Sequence, residues 1–261
     1  MECNHIQLTY KDKLAKIELD APPANTLSTT MIQELRTVFK QLREADHVHA
    51  IIITGSGKFF AAGADIKEFV PAMGDAHKGR SISEAGQALC NEIESMNKPV
   101  IAAINGPALG GGLELAMACH FRIAAHDAKL GLPELNLGLI PSFGGTQRLA
   151  RITGIATATE LILSSKHING EQAFAYGIVQ LSVPQEELLP TTLATANGFI
   201  NGHSITSVIK AMESIVYGYH ESFADGLKRE RENFAALFQT EDAKEGVNSF
   251  VEKRKPSFKH K

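Results

Sequence analysis

Short apolar runs alternate with amphipathic helical patterns along the first half of the chain. Residues 50–54 (AIIIT) and 99–104 (PVIAAI) contain almost no polar side chains, and they stop at Gly55 and at the Asn105-Gly106-Pro107 break. Runs of this kind are typical of parallel strands that helices cover on both faces. A further strand is expected near 121–124. Apolar residues at helical spacing lie between the first runs, at Met31, Leu35, Val38 and Leu42. The sequence therefore predicts an α/β fold.

Turn and capping signals predict the remaining elements. Residues 6–10 and 14–19 are expected to pair as strands, and a first helix should start at the cap 28–30. The segment 71–80 contains Pro, Gly, Asp and Lys and predicts a mobile loop. Ser81-Ile-Ser-Glu84 is a plausible capping box for a helix that runs to about Met96. Further helices are predicted over 113–119, 144–152, 156–164, 171–176, 186–200, 204–217, 222–238 and 241–254, with a strand over 178–183 and a helix start near Asp65.

The helical patterns dominate from about residue 143 onward. We expect an α/β core with the active site over residues 1–190 and a helical C-terminal region over 191–261. No low-complexity linker separates the two regions, and the sequence has no convincing internal repeat. The chain therefore predicts one compact body with a helical appendage.

Charge and cysteine content exclude several classes of function. The formal net charge is −3, so the chain lacks the basic patch expected of a nucleic-acid-binding protein. The three cysteines, Cys3, Cys90 and Cys119, form no CxxC pair, and the ten histidines lack metal-ligand spacing. No stretch approaches the length of a membrane span, and MECNHIQLTY does not resemble a secretion signal. We therefore expect a cytoplasmic protein that binds small molecules, with no metal, nucleic-acid or membrane partner.

Two segments contain more glycine than folding alone requires. Residues 55–67 (GSGKFFAAGADIK) place small side chains directly after a buried strand, and residues 105–114 (NGPALGGGLE) place three glycines before a predicted helix. Amides at a helix start are free donors and favour negative charge. The second segment matches neither GxxxxGK[ST] nor GxGxxG, so an oxyanion site for a carbonyl fits better than a phosphate loop. The structural alternative is a tight strand-to-helix turn for the first segment and close backbone packing for the second.

Two acids lie among apolar neighbours downstream. Glu114 is one turn into the apolar helix LELAMAC, and Glu134 ends the sequence GLPE. An ionised carboxylate is costly to bury, so Glu114 faces solvent, complements the helix dipole or serves a chemical purpose. Two carboxylates near two backbone donors would form an acid–base site, but sequence spacing alone leaves open whether they meet.

Taken in order, these segments resemble the signatures of the crotonase family. The resemblance covers nearly the whole chain and rests on residues 60–67 (FAAGADIK), 105–114, 132–134 (LPE), 138–148 (GLIPSFGGTQR), 173–179 (AFAYGIV) and 245–254 (EGVNSFVEKR). It implies a spiral of ββα units with an all-helical C-terminal region that serves oligomerisation and pocket closure. It also implies a homotrimer or homohexamer.

The resemblance further implies an activity and the residues that carry it. The backbone amides of Ala64 and Gly111 would stabilise an enolate of an acyl-CoA thioester. Glu114 would act mainly on water and Glu134 mainly on C2, which implies an enoyl-CoA hydratase that converts a trans-2-enoyl-CoA into a 3-hydroxyacyl-CoA, in fatty-acid β-oxidation. Coenzyme A is part of the substrate, so no separate cofactor is expected. An enoyl-CoA isomerase relying mainly on Glu134 is the closest alternative, and an RNA-binding or non-catalytic family member is the alternative of a different class.

Substrate contacts are also carried over from the resemblance. Ser142 stands where many hydratases have glycine and is expected to narrow the pocket near the water site. Residues 22–27 (PPANTL) depart from the commoner Asn-Ala-Leu pattern near the CoA moiety. The nucleotide end is expected to contact Lys67 and the tail residues Lys253, Phe258 and Lys259, the latter across a subunit boundary. A solvated charged face is the alternative for these four residues. The predicted contacts of the acyl-CoA are Ala24, Ala62, Asp65, Ile66, Lys67, Leu109, Pro133 and Ser142.

Overall fold

A six-stranded sheet forms the centre of the molecule in a computed structural model that describes residues 3–261. Its strands are β1 (Ile6–Lys11), β2 (Leu14–Leu19), β3 (Ala50–Gly55), β4 (Val100–Ile104), β6 (Phe121–Ala125) and β8 (Leu181–Val183), in the order β1-β2-β3-β4-β6-β8. The β1–β2 pair is antiparallel, and every later pair is parallel. The predicted hairpin and parallel strands are confirmed.

A second layer of short β pairings runs beside the main sheet. Strands β5 (Ala108–Leu109) and β7 (Leu130–Gly131) pair in parallel. Single bridges extend this layer on both sides, joining Leu27 to Ala64, Ala61 to Ala108, and Leu130 to Ile168. Successive turns of the chain thus contribute one long strand to the main sheet and one short strand to the second layer. This arrangement is a spiral, and it brings residues of several turns together.

Helices cover both faces of the main sheet. The chain forms α1 (Thr29–Glu44), α2 (Ala76–Glu94), α3 (Gly111–Ala118), α4 (Gly145–Thr153), α5 (Ile155–Leu163), α6 (Gly170–Ala175), α7 (Leu188–Ile200), α8 (Ile205–His220), α9 (Phe223–Leu237) and α10 (Glu241–Val251). Ser28 caps α1 by accepting a hydrogen bond from the Met31 N–H, as its position in the sequence predicts. None of these helices has both the length and the apolar character needed to cross a lipid bilayer.

Alternate side chains of the central strands face two separate cores. Ile51 and Ile53 of β3 pack with α1, α2 and α3, whereas Ile52 packs against α7 on the other face. This two-sided burial explains why the strands are apolar without alternation. Helix α7 therefore forms one of the two cores together with the strands that it covers.

The structure corrects four predicted boundaries. The segment 71–80 is not wholly a loop, because α2 already begins at Ala76, where the Asp75 carboxylate accepts hydrogen bonds from the amides of His77 and Lys78. Near Asp65 there is only a single 3-10 turn, Ile66–Glu68. Residues 178–180 precede strand β8 and are not part of it, since the Ile178 N–H donates to the Ala173 carbonyl in a turn after α6. Helix α3 begins two residues earlier than predicted, at Gly111.

Candidate active site

Two backbone amides lie side by side on neighbouring turns of the spiral. Ala64 is bridged to Leu27, whose carbonyl accepts from the Asp65 N–H. The N–H of Ala64 therefore points away from Leu27, because peptide groups alternate in direction along extended chain. Gly111 is the first residue of α3, where amides have no intrahelical acceptor. A β-carbon placed on Gly111 would lie 3.4 Å from the Ala64 nitrogen. Within residues 3–261, neither N–H has a hydrogen-bond acceptor.

Glu114 lies one turn into α3 and is 1% exposed. Its Oε1 accepts hydrogen bonds from the N–H of Phe143 (2.8 Å) and the N–H of Gly145 (2.6 Å). Burial raises the pKa of the Glu114 carboxyl to about 7, and the nearby charge of Glu134 raises it too, while the two amides oppose the rise. The helix therefore holds a buried acid that can exchange a proton near neutral pH.

Glu134 follows β7 and begins a 3-10 turn, Glu134–Leu137. Its Oε1 lies 2.8 Å from where a β-carbon on Gly110 would be, and Gly110 has a φ of 51°, so this position requires glycine on both counts. The Oε2 atom of Glu134 is buried and lacks a hydrogen-bond partner among the described residues. Burial raises the pKa of this carboxyl. A buried carboxyl oxygen without a donor favours the protonated acid.

One cavity, of about 280 Å³, joins both acids to both amides. Its remaining wall is mostly apolar and comes from the segment 66–82 on one side and from residues 137–143 on the other. Helix α2 supplies Gly79 and Ile82 to this wall. Of the residues predicted from the sequence, the cavity is lined by Ala62, Ala64, Ile66, Gly111, Glu114, Glu134 and Ser142.

Other predicted contacts lie around the cavity and not in its wall. The Ala24 carbonyl accepts from the Ala62 N–H (3.0 Å), so Ala24 supports the first glycine-rich segment from outside. Asp65 caps the 3-10 turn by accepting from the Lys67 N–H, and the Lys67 side chain is exposed. Leu109 belongs to β5, and Pro133 directly precedes Glu134.

The C-terminal residues predicted to reach the nucleotide pack against α10. A β-carbon placed on Gly246 of α10 would lie 3.5 Å from the Phe258 ring. The Lys259 N–H donates to the Asp242 carboxylate (2.7 Å). Lys253 is exposed just after the helix. None of these three residues lines the cavity, and their contact with a nucleotide stays a prediction.

Phe143 and Arg148 also contribute to the site, although no sequence motif predicts a role for either residue. The Phe143 amide binds Glu114, and the Phe143 ring lines the cavity. Arg148 donates to the Phe143 carbonyl through Nη1 (3.0 Å). The glycine pair Gly144-Gly145 was the available signal, because glycine lets the backbone approach another group closely, and a β-carbon on Gly145 would lie 2.8 Å from Oε1 of Glu114.

Comparison with known proteins identifies the family. A sequence model of the enoyl-CoA hydratase/isomerase family matches residues 9–261. The chain belongs to the enoyl-CoA hydratase/isomerase family. A probable enoyl-CoA hydratase from Bacillus subtilis is 48% identical over 98% of this chain and 99% of that protein. A crotonyl-CoA hydratase from Syntrophomonas wolfei is 41% identical over 99% of both chains. A short-chain-enoyl-CoA hydratase from Clostridium acetobutylicum is 37% identical over 98% of this chain and 97% of that one.

Solved structures of the hydratase/isomerase family share the fold. The enoyl-CoA hydratase from Bacillus anthracis matches with a TM-score of 0.92 at 38% identity, over 99% of this chain and 100% of that chain. An enoyl-CoA hydratase from Geobacillus kaustophilus matches with a TM-score of 0.95 at 30% identity, over 100% and 98% of the two chains. The predicted family and the predicted crotonase-like α/β spiral with a helical C-terminal region are therefore confirmed.

Proposed function

We propose that the protein is an enoyl-CoA hydratase, a hydro-lyase that adds water across the C2–C3 double bond of a trans-2-enoyl-CoA. The observation that carries this proposal is the meeting of two carboxyls and two free amides in one largely apolar cavity. The amides of Ala64 and Gly111 would bind the thioester oxygen as charge develops on it. Removing one such preorganised donor typically costs about 10²–10³ in rate.

The surroundings of the two acids suggest which proton each transfers. Glu114 accepts two amide hydrogen bonds, which stabilise its ionised form and suit a base that takes a proton from water. Glu134 has a buried oxygen without a donor, which favours its protonated form and suits an acid that supplies the C2 proton. Water would then attack C3 while the double-bond electrons move toward the thioester oxygen. After the addition, Glu114 carries the proton taken from water and Glu134 is ionised.

This arrangement also supports hydration over the alternative of double-bond migration. Moving a proton along the acyl chain needs one acid, and Glu134 alone would suffice. Glu114 would then be a buried acid with a raised pKa and no proton to transfer. A second candidate function therefore has no specific observation in its favour.

The Glu134→Gln variant tests the proposal. Glutamine keeps the size and shape of the side chain but cannot deliver the proton, and a positioned acid typically contributes about 10²–10⁴ in rate. We expect kcat for crotonyl-CoA hydration to fall by about that factor, measured by loss of the enoyl-thioester absorbance. Crotonyl-CoA is a suitable first substrate because the Syntrophomonas wolfei relative is named a crotonyl-CoA hydratase. The affinity of the variant for crotonyl-CoA should change far less than kcat does.

The Glu187→Gln variant is a matched control, since Glu187 is exposed just before α7 and does not line the cavity. Hydration by folded Glu134→Gln at close to the parent rate would refute the assignment. Double-bond migration that outruns hydration in the parent would favour the isomerase.

The assembly and setting of the enzyme are proposed on separate grounds. We infer that the chain self-associates, because α8–α10 expose large apolar side chains at Ile215, Phe223, Phe234, Phe238, Val247 and Phe250. The homotrimer or homohexamer that we propose is what the family resemblance implies. The free thiols of Cys3, Cys90 and Cys119 support a reducing cytoplasm. We also propose a role in fatty-acid β-oxidation, since that pathway includes hydration of trans-2-enoyl-CoA.

A further inference from the structure

One face of α2 contacts the segment that binds Glu114. Ser83, Gln87, Asn91 and Glu94 follow one another at spacings of three or four residues, so their side chains share one side of the helix. All four make hydrogen bonds to residues between 142 and 148. We call these four residues the α2 face. None of them lines the cavity, so the α2 face reaches the active site only through that segment.

The first contact is made to the peptide group between Ser142 and Phe143. The Ser142 carbonyl accepts from the Ser83 hydroxyl (2.8 Å) and from the Gln87 amide (3.0 Å). The N–H on the other side of the same planar peptide is the one that donates to Glu114. Fixing the carbonyl therefore fixes the direction of the N–H. Hydrogen bonds in such a chain also polarise one another, which makes the N–H a stronger donor.

The second contact is made through Arg148. Its Nη2 donates to Asn91 (2.8 Å) and to the Glu94 carboxylate (2.7 Å), and its Nη1 donates to the Phe143 carbonyl (3.0 Å). The Arg148 side chain is only 11% exposed. A planar guanidinium held by two side chains of one helix is a rigid support for that carbonyl.

Packing adds a steric constraint at the same place. A β-carbon on Gly86, which lies between Ser83 and Gln87 on α2, would be 2.1 Å from the Phe143 ring. The ring therefore fits directly against the backbone of α2. Segment 142–148 is thus held by hydrogen bonds on both sides of Phe143 and by the packing of the Phe143 ring against α2.

We propose that Ser83, Gln87 and Arg148 are positioning residues for hydration, which aim the amides of the 142–145 segment at Glu114 and so keep it ionised as the base. The inference rests on the proposed function. The charged and titratable groups that face Glu114 are Glu134, Arg148 of α4 and Cys90 of α2. Burial raises the pKa of the Cys90 thiol, which stays neutral. Loosening the segment weakens two hydrogen bonds to the carboxylate and must raise the pKa of Glu114.

The test compares the pH dependence of kcat/KM in the parent and in the double variant Ser83→Ala, Gln87→Ala, because kcat/KM reports the ionisation of the free enzyme. From a pKa of about 7 for Glu114, a tenfold rise in its proton affinity would lower the ionised fraction at pH 7 about fivefold and leave it almost unchanged at pH 9. We therefore expect kcat/KM to be about fivefold lower at pH 7 and close to the parent value at pH 9. KM for crotonyl-CoA should change by less than about twofold, since neither residue lines the cavity.

Two further variants separate positioning from simple stability. Ser83→Thr retains the hydroxyl and should keep the parent pH profile. Arg36→Met breaks an ion pair to Glu92 on another face of α2 (3.1 Å) and should leave the profile unchanged even if α2 is less stable. Arg148→Lys keeps the positive charge near Glu114 but loses the planar fork that joins Phe143 to the α2 face, so it should move the acid limb of the profile in the same direction as the double variant.

The outcomes are distinguishable from failure of the proposed function. A parent protein that does not hydrate enoyl-CoA would overturn the function itself. A parent that hydrates, with double-variant and Arg148→Lys profiles that superpose on the parent profile after scaling, would overturn only the positioning role. Equal losses at pH 7 and pH 9 would also overturn it, because they would indicate general damage to the fold.

Discussion

Replacing Glu114 by glutamine should make the protein more stable while removing its activity. Glutamine has nearly the same shape, and its amide oxygen can still accept from the Phe143 and Gly145 amides. It carries no charge that burial would penalise. Moving the pKa of a carboxyl from 4.5 to about 7 corresponds to about 3 kcal/mol, since each factor of ten in proton affinity is worth about 1.4 kcal/mol.

The sign of this effect depends on pH. Below pH 4.5 the Glu114 carboxyl is protonated in both the folded and the unfolded chain, so it costs nothing. Between pH 4.5 and about 7 the folded state binds the proton more tightly, and the free energy of unfolding falls as the pH rises. Above pH 7 the full cost is present. The advantage of Glu114→Gln should therefore be near zero at pH 4.5 and about 3 kcal/mol at pH 8.

Thermal unfolding at several pH values, at one fixed protein concentration, measures this difference. For a chain of this size about 3 kcal/mol corresponds to about 6–12 °C in Tm. The control Glu245→Gln should behave oppositely, because the hydrogen bond from Arg254 lowers the pKa of Glu245 to about 2, so its carboxylate favours folding at neutral pH. A Tm difference between Glu114→Gln and the parent that is the same at pH 5 and pH 8 would refute this account of the buried acid.

Three further experiments test the site. Ala64→Gly keeps the proposed amide donor and should lower kcat only mildly, whereas Ala64→Pro deletes the donor and should lower it severely; equal activity of the two folded variants would contradict the assignment. Gly110→Ala would put a methyl group against Oε1 of Glu134, so we expect at least a tenfold loss of kcat with folding retained, measured by the hydration assay. Residues 66–75 form part of the cavity wall and include exposed side chains such as Val70 and Met73. We expect the amides of this segment to gain protection from hydrogen exchange only when a long-chain acyl-CoA is bound. Full protection without ligand would rule this out.

The sequence was sufficient to predict the strands that are buried on both faces. Residues 50–54 and 99–104 are apolar because alternate side chains face two different cores. Burial on both faces can therefore be inferred from each apolar run in the sequence. The Ser28 cap of α1 is equally local. Such features depend on neighbours in the chain, so local patterns are enough.

The start of α2 and the contacts of Glu114 could not be predicted in the same way. The composition of residues 76–80 is typical of a loop, but the Asp75 cap starts a helix there by accepting hydrogen bonds from the amides of His77 and Lys78. Glu114 and Glu134 share a cavity because β5 pairs with β7 in a second layer, which no spacing reveals. The role of Arg148 depends on its contacts with Asn91 and Glu94 of α2, which form only in the tertiary structure.

Parallel pairing makes the main sheet slow to assemble. Except for the β1–β2 hairpin, each strand pairs with one that is separated from it by at least one helix, as Leu14 with Ala50 and Ile123 with Leu181. Loops of this length must close before any such pair is stabilised, and folding rates fall as contacts become less local. The apolar strands are therefore exposed to other chains during synthesis, and refolding at high concentration should compete with aggregation. Glu114 acquires both of its amide partners only after residue 145 has been added, so no shorter nascent chain can hold the acid in place.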